Sequence, residues 1–169
     1  MGKPEISVEE LYRAHGQAVW RYLLHTLDRQ VAEDVLQQTF MVAVESRDGL
    51  REVQWHRAWL FGIARRLAMN YLRRRKKTVM LPENCPAKSE ADDSTIVEMR
   101  RAIAKLSPAL RETLRLRLHD ELSYQEIAEV LEIPVGTVRS RLHNAVSELR
   151  RLMTGDRSVA TREPSNEHS

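Results

Sequence analysis

The sequence predicts an all-α protein of two small helical domains joined by a flexible linker, the C-terminal domain carrying a helix-turn-helix. Apolar residues recur at three- and four-residue steps over most of the chain, and no stretch shows the alternation typical of a strand. Six glycines and six prolines in 169 residues leave few turn signals, which favours long helices. A charge reversal in mid-chain separates two groups of helices.

The N-terminal domain is predicted over residues 5–77 from three amphipathic helices. A capping box at Ser7 opens the first helix, which we expect to end near Leu27. The second is predicted over residues 30–45, and the third, with the strongest periodicity, over residues 54–74. Apolar residues assigned to the shared core include Tyr12, Val44, Trp59 and Tyr71.

Residues 78–93 are predicted to form an acidic, flexible linker, because prolines and charges replace the apolar periodicity there. The C-terminal domain is predicted over residues 94–153. Within it, Ser107 precedes a proline and caps one helix, and a capping box at Ser123 opens another. Residues 154–169 are polar and predicted to be a disordered tail.

Charge and composition restrict the function classes. Residues 57–77 hold eight Lys or Arg and no acid, which favours a polyanionic partner. The single cysteine, Cys85, excludes an internal disulfide, and the scattered histidines show no metal-ligand spacing. No apolar run reaches the length of a membrane span, and the N-terminus lacks a signal-peptide core. We therefore expect a cytoplasmic protein without membrane insertion, metal or cofactor.

The clearest motif is the helix-turn-helix near residues 123–151. Ile127, Ala128 and Leu131 are predicted to face inward from its first helix, and Pro134 lies in the turn. An ordinary helical hairpin would show the same stripes, but the near absence of acids in the second helix favours DNA. The residues on or near its exposed side can reach bases and phosphates in a major groove: Thr137, Arg139, Ser140, Arg141, His143 and Asn144.

The third helix carries a second, weaker signal for nucleic acid. Its apolar stripe is assigned to the core, so its aromatic residues are not expected to stack on bases. Cationic and amide side chains on or beside the other face suit phosphate neutralisation and the capture of single strands: Arg65, Arg66, Asn70, Arg73 and Arg74.

Three segments in order give a specific resemblance: AEDVLQQTFMVAVE, then WLFGIARRLAMNYLRRR, then, after the acidic linker, LSPALRETLRLRLHDELSYQEIAEVLEIPVGTVRSRL. Together they resemble the bacterial sigma factors of the extracytoplasmic-function (ECF) group. The resemblance spans about residues 8–153, so it covers both domains. It implies a sigma region 2-like domain at 5–77, a region 4-like domain at 94–153, and a linker that threads into the polymerase.

The resemblance also implies roles for individual residues. Docking on the β′ clamp helices of core RNA polymerase is assigned to Asp34, Gln37, Gln38 and Phe40. Melting and reading of the −10 element are assigned to the cationic and amide residues of the third helix that are named above. The −35 element falls to the exposed helix-turn-helix residues, joined by Arg117. Further implied partners are promoter DNA, the polymerase β flap and an anti-sigma factor. Gln38, Arg66, His143 and Asn144 depart from residues common in the family, which implies altered contacts or promoter preference.

Two other function classes remain open from the residues alone. A stand-alone helix-turn-helix regulator would bind a palindromic duplex tightly without polymerase. An enzyme acting on DNA would need a nucleophile or a carboxylate cluster, and Ser7, Ser46 and Tyr12 have no such residues arranged around them. No catalytic residue is therefore predicted.

Overall fold

The structure is a computed structural model that describes residues 7–46, 55–78 and 94–154. Those ranges form α-helices joined by short turns and contain no strand, which confirms the all-α prediction. The helices are α1 (Val8–Leu24), α2 (Arg29–Glu45), α3 (His56–Thr78), α4 (Ser94–Lys105), α5 (Pro108–Leu118), α6 (Tyr124–Leu131) and α7 (Val135–Thr154).

Local caps define most of the helix starts. At α1 the Ser7 hydroxyl accepts from the Glu10 N–H at 3.1 Å, and the Glu10 carboxylate accepts from the Ser7 N–H at 2.8 Å. The same reciprocal arrangement at Ser123 begins α6, so both predicted capping boxes are confirmed. Ser107 caps α5 as predicted. Asp28 caps α2, which the sequence pattern did not indicate, and α1 ends at Leu24, before the predicted end near Leu27.

Helices α1–α3 form the N-terminal bundle, in which each helix packs on the other two. Its core contains Val19, Leu23, Leu60 and Phe61, all fully buried. The apolar spacing of each helix places these residues on one side, where burial removes them from water. The assignment of Tyr12 and Val44 to the core is wrong, because both side chains are exposed. Trp59 and Tyr71 do pack against the buried cluster.

Helices α4–α7 form the C-terminal bundle. Helix α7 crosses α4, α5 and α6, and Val138, Leu142 and Ala145 turn inward from it. They meet Ile127 from α6 and Leu116 from α5 in the same buried cluster. This is the packing that the stripes of the helix-turn-helix predict.

The two bundles also pack on each other, chiefly through α3 and α6. Their buried side chains join in one continuous cluster, a contact that the sequence pattern does not indicate. Residues 79–93 and 155–169, which hold most of the predicted linker, Cys85 and the predicted tail, lie outside the described residues. None of the described helices is long and apolar enough to cross a membrane.

Candidate nucleic-acid and polymerase interfaces

The helix-turn-helix is built from α6 and α7. Glu132 ends α6 in the left-handed conformation, with φ of 55°, and reverses the chain direction. The Ile133 N–H then donates back to the Ala128 carbonyl at 3.0 Å. Pro134 follows, and its carbonyl accepts from the Thr137 N–H at 2.9 Å in the first turn of α7. This tight turn holds α7 across α6 and fixes which side of α7 faces outward.

The outward side of α7 carries the predicted −35 residues. Arg139, Ser140, His143 and Asn144 are exposed, whereas Thr137 and Arg141 are half-buried at its edges. Arg117 lies elsewhere, on α5. Its guanidinium donates to the Leu122 carbonyl at 3.0 Å and lies 5.4 Å from the centre of the Tyr124 ring. In this structure Arg117 therefore supports the turn that leads into α6.

Helix α3 places the predicted −10 residues on two surfaces. Arg66, Asn70, Arg73 and Arg74 are exposed, and the Asn70 side-chain oxygen accepts a hydrogen bond from Arg73. Arg65 is half-buried and faces the C-terminal bundle. The predicted set is therefore divided between solvent and the contact between the bundles.

Helix α2 presents most of the predicted polymerase-binding residues. Asp34, Gln37 and Gln38 are exposed. The Phe40 side chain is only 8% exposed and meets the edge of the Tyr12 ring, so it supports α2 from within the bundle. Met41, which no motif singled out, lies one turn beyond Gln37 with its side chain 61% exposed. This exposed side chain adds apolar surface to α2 beside its exposed polar residues.

Comparisons with known proteins match both bundles. Residues 11–78 match the family described as Sigma-70 region 2, and residues 96–149 match Sigma-70, region 4. RNA polymerase sigma factor YlaC of Bacillus subtilis is 31% identical, covering 89% of this chain and 94% of that protein. ECF RNA polymerase sigma factor SigM, also of Bacillus subtilis, is 30% identical, covering 87% and 95%.

The chain belongs to the ECF family of RNA polymerase sigma factors. As a sigma factor it binds core RNA polymerase and directs promoter-specific initiation of transcription. The fold agrees with a solved complex of the sigma factor RpoE and the anti-sigma factor NepR from Bartonella quintana, at a TM-score of 0.68 and 23% identity, covering 88% of this chain and 98% of that one. The structure of CnrH in complex with the cytosolic domain of CnrY gives a TM-score of 0.62 at 24% identity, covering 88% of each chain.

The region 2 and region 4 bundles are joined by a first ion pair at one end of α3. Arg57 donates twice to Glu126, at 3.0 and 3.1 Å, and once to the Glu121 carbonyl at 3.0 Å. The same carboxylate caps α6 by accepting from the Ser123 N–H at 2.8 Å. Burial alone would raise the pKa of Glu126, but the hydrogen bonds from Ser123 and Arg57 outweigh it and lower that pKa. Glu126 is therefore held as an anion.

A second ion pair lies about two turns further along α3. Arg65 donates to the two oxygens of Glu112 on α5, at 2.8 and 3.1 Å. The Tyr22 hydroxyl lies 3.4 Å from the same carboxylate, and the Arg115 guanidinium lies 4.7 Å from the centre of the Tyr22 ring. The hydrogen bonds with Glu112 raise the pKa of Arg65. Burial and then the charge of Glu112 raise the pKa of Tyr22, which stays a neutral donor.

Two histidines add a further contact between the regions. The Nε2 atoms of His25, after α1, and His119, after α5, are 3.0 Å apart, with the rings nearly perpendicular at 87°. On its other side, His119 Nδ1 lies 3.3 Å from the Asp120 carboxylate. Burial, followed by the positive charges of His119 and Arg115, lowers the pKa of His25. The pair therefore joins the regions best when His25 is neutral.

Sequence reasoning missed this contact entirely. Glu112 lies among arginines on α5, where it resembles a solvated charge, and Glu126 already has a local role as a cap. Their partners are 47 and 69 residues away, beyond any helical spacing that a pattern can register. Among the described residues, no cluster of three His, Cys, Asp or Glu side chains could hold a metal ion.

Proposed function

We propose that this sigma factor reads the −35 element as duplex DNA with α7. The observation that carries this proposal is the exposed polar and cationic face of α7 opposite its buried stripe. Arg139 and Asn144 can donate to base edges in a major groove, which admits one helix. Ser140 and His143 lie on the same exposed side, with Thr137 and Arg141 at its edges. Arg117 acts through the turn that begins α6.

Helix α3 then captures the melted −10 element. Its exposed residues Arg66, Asn70, Arg73 and Arg74 supply cations and amide hydrogen bonds, and Arg65 joins them when its pair with Glu112 opens. The free energy of melting is offset by this capture and by attachment to polymerase, which makes each DNA contact effectively intramolecular. The polymerase supplies the covalent chemistry, so the sigma factor itself is not an enzyme and carries no cofactor.

Polymerase docking uses the outer face of α2. Asp34, Gln37 and Gln38 provide polar contacts to the β′ clamp helices, and Met41 provides apolar area. Phe40 keeps α2 in position by packing on Tyr12. Region 4 contacts the β flap.

An anti-sigma factor controls the protein in the cytoplasm. Support comes from two structural neighbours, RpoE in complex with the anti-sigma factor NepR and CnrH in complex with the cytosolic domain of CnrY. Copurification from native cells, followed by mass spectrometry, tests whether such a partner is present.

The deciding experiment is in vitro transcription of genomic DNA by core polymerase with and without the purified protein, followed by sequencing of transcript 5′ ends. We expect new start sites that share one −35 and one −10 sequence. Arg139→Ala should lose these starts, whereas Arg13→Ala, on the solvent side of α1, should keep them. Tight binding to a palindromic duplex without polymerase, and no new starts, would favour a stand-alone regulator instead.

A further inference from the structure

We propose that His25 and His119 form a binding site for a divalent transition-metal ion at the junction of the two bundles, with Asp120 orienting His119. The two Nε2 atoms lie 3.0 Å apart, and the residues that carry them are the C-caps of α1 and α5. The 94 residues between the two histidines hide the pair from any spacing in the sequence. Neither histidine belongs to the surfaces assigned to DNA or polymerase, so this site goes beyond the proposed function and is tested separately from it.

Asp120 fixes which nitrogen of His119 is available to a metal ion. His119 Nδ1 lies 3.3 Å from Oδ1 of Asp120, whose side chain is only 3% exposed. An ionised carboxylate can only accept, so Nδ1 carries the proton and Nε2 carries the lone pair. A carboxylate on the far nitrogen is the usual outer partner of a metal-binding histidine, because it orients the ring and makes it a more basic ligand.

The second oxygen of Asp120 favours a positive charge nearby. Oδ2 is buried and has no hydrogen-bond partner among the described residues. A buried anion without full pairing is costly, and a cation on the ring of His119 offsets part of that cost. The guanidinium of Arg115 is directed elsewhere, since it donates to the Thr26 hydroxyl at 3.3 Å and lies over the Tyr22 ring.

The positions of the two rings fit a shared ion better than a direct hydrogen bond. In an end-to-end hydrogen bond the ring centres are further apart than the nitrogens by two ring radii, whereas here they are only 4.3 Å apart. At least one ring is therefore turned away from the line between the nitrogens, and an ion beside that line can receive a lone pair from each. With nitrogen–metal distances of about 2.0–2.1 Å, the separation of 3.0 Å gives an N–metal–N angle of about 90–100°.

This angle selects the class of ion. It matches neighbouring ligand positions around a tetragonal ion, which favours Ni²⁺ or Cu²⁺ over tetrahedral Zn²⁺. His25 is exposed and the His119 side chain is 41% exposed, so water reaches the site and completes the coordination. Because the two ligands belong to different bundles, the bound ion links the end of α1 to the end of α5.

Calorimetric titration of the untagged full chain with Ni²⁺ tests the site. We expect one ion per chain, bound at least about tenfold more tightly than by His25→Asn or His119→Asn, because the second nitrogen binds intramolecularly. His143→Asn removes an exposed histidine from α7 and should leave the affinity unchanged. Tighter binding of Zn²⁺ than of Ni²⁺ would overturn the choice of ion. An affinity no higher than that of the two site variants would overturn the site itself.

Nuclear magnetic resonance of the histidine rings then shows where the ion binds. Substoichiometric Ni²⁺, which is paramagnetic, should broaden the ring signals of His25 and His119 before those of His143. Asp120→Asn should weaken Ni²⁺ binding about tenfold by leaving His119 less well oriented, with the circular dichroism of the metal-free protein unchanged. Equal broadening of all histidines would mean adventitious surface binding and overturn the proposal. Unchanged affinity in Asp120→Asn would overturn the role of Asp120.

Discussion

Helices α7 and α3 both carry arginines proposed to face DNA, but the structure presents them differently. On α7, Arg139 is exposed, and nothing in region 2 pairs with it among the described contacts. On α3, Arg65 is half-buried and donates twice to Glu112 of region 4. The difference indicates that the duplex reader is formed by its own bundle, whereas the single-strand reader depends on where the other bundle lies.

The largest effect is expected at Glu126. This residue caps α6 within the helix-turn-helix and also pairs with Arg57 of α3 in the other bundle. Glu126→Ala removes the capping interaction and the hydrogen bonds from Arg57, so we expect the free energy of unfolding to fall by about 3 kcal/mol. Glu126→Gln keeps the cap and should lose only about 1 kcal/mol. Urea unfolding followed by helical circular dichroism measures both.

A control for this prediction lies in α1. Glu10→Ala removes the equivalent half of the Ser7 capping box, where no partner from the other bundle is involved. Its loss of stability should be clearly smaller than that of Glu126→Ala. Equal losses at the two sites would mean that the Arg57 pair contributes nothing.

The comparison between the two readers predicts different transcription defects. Arg139→Ala should reduce promoter-specific initiation by one to two orders of magnitude, because a good base contact contributes about 1–3 kcal/mol. Arg65→Ala loses a −10 contact but also releases region 4. Its defect should therefore be smaller at limiting core polymerase than at saturating core, whereas that of Arg139→Ala should not depend on core concentration. Identical dependence in both variants would remove the distinction between the readers.

The sequence predicts the features that depend on one bundle alone better than those that depend on contact between the two bundles. The capping boxes, the turn of the helix-turn-helix and the exposed face of α7 depend on residues within one or two helical turns, and the pattern indicates them. The apolar spacing of α2 predicts the burial of Phe40 but not that of Thr39, a polar residue on the same inner side. Its hydroxyl is satisfied inside the helix by donating to the Val35 carbonyl at 2.7 Å. The surroundings of Arg65 depend on packing between the bundles, which no local spacing encodes.

Acidification should release α3 while leaving α7 unaffected. His25 faces His119, Arg115 and Asp120, and its pKa is lowered while the two bundles are in contact, an arrangement that we call the closed form. The open form, with a pKa near the ordinary 6.5, therefore binds more protons as the pH falls below that value. Closed-state stability is complete above about pH 6.5 and declines as the pH falls from there towards the lowered pKa. Energy transfer between a donor and an acceptor dye on Gln17→Cys of α1 and Gln125→Cys of α6, in a Cys85→Ser background, should decrease over this range.

Histidine variants separate the contributions to this pH dependence. His25→Asn with His119→Asn should weaken it. His15 should supply the remainder, because burial and then the charges of Arg57 and His56 lower its pKa despite nearby Glu126. Energy transfer that stays constant from pH 7.5 to 5.5 in the unmodified histidine background would show that these rings do not report on closure.

The smallest effects are expected from substituting one glycine in each reading helix. A Cβ at Gly62 of α3 or at Gly136 of α7 would meet no atom within 4 Å, so alanine fits at both. Gly62 lies inside α3, and Gly62→Ala should raise the free energy of unfolding by about 0.5–1 kcal/mol through lower backbone entropy in the unfolded chain. Gly136 lies in the first turn of α7, where helical order contributes less, so Gly136→Ala should gain less.

The Gly62→Ala substitution also tests how closely region 4 approaches α3. Gly62→Ala should leave energy transfer between the regions unchanged, because the added methyl group points into open space in the closed form. If it instead lowers energy transfer or destabilises the protein, region 4 must approach α3 more closely at Gly62 than this structure shows. Gly16→Ala is the matched contrast, since its Cβ would lie 3.3 Å from the Tyr12 ring and force that side chain to shift. It should therefore gain less than Gly62→Ala.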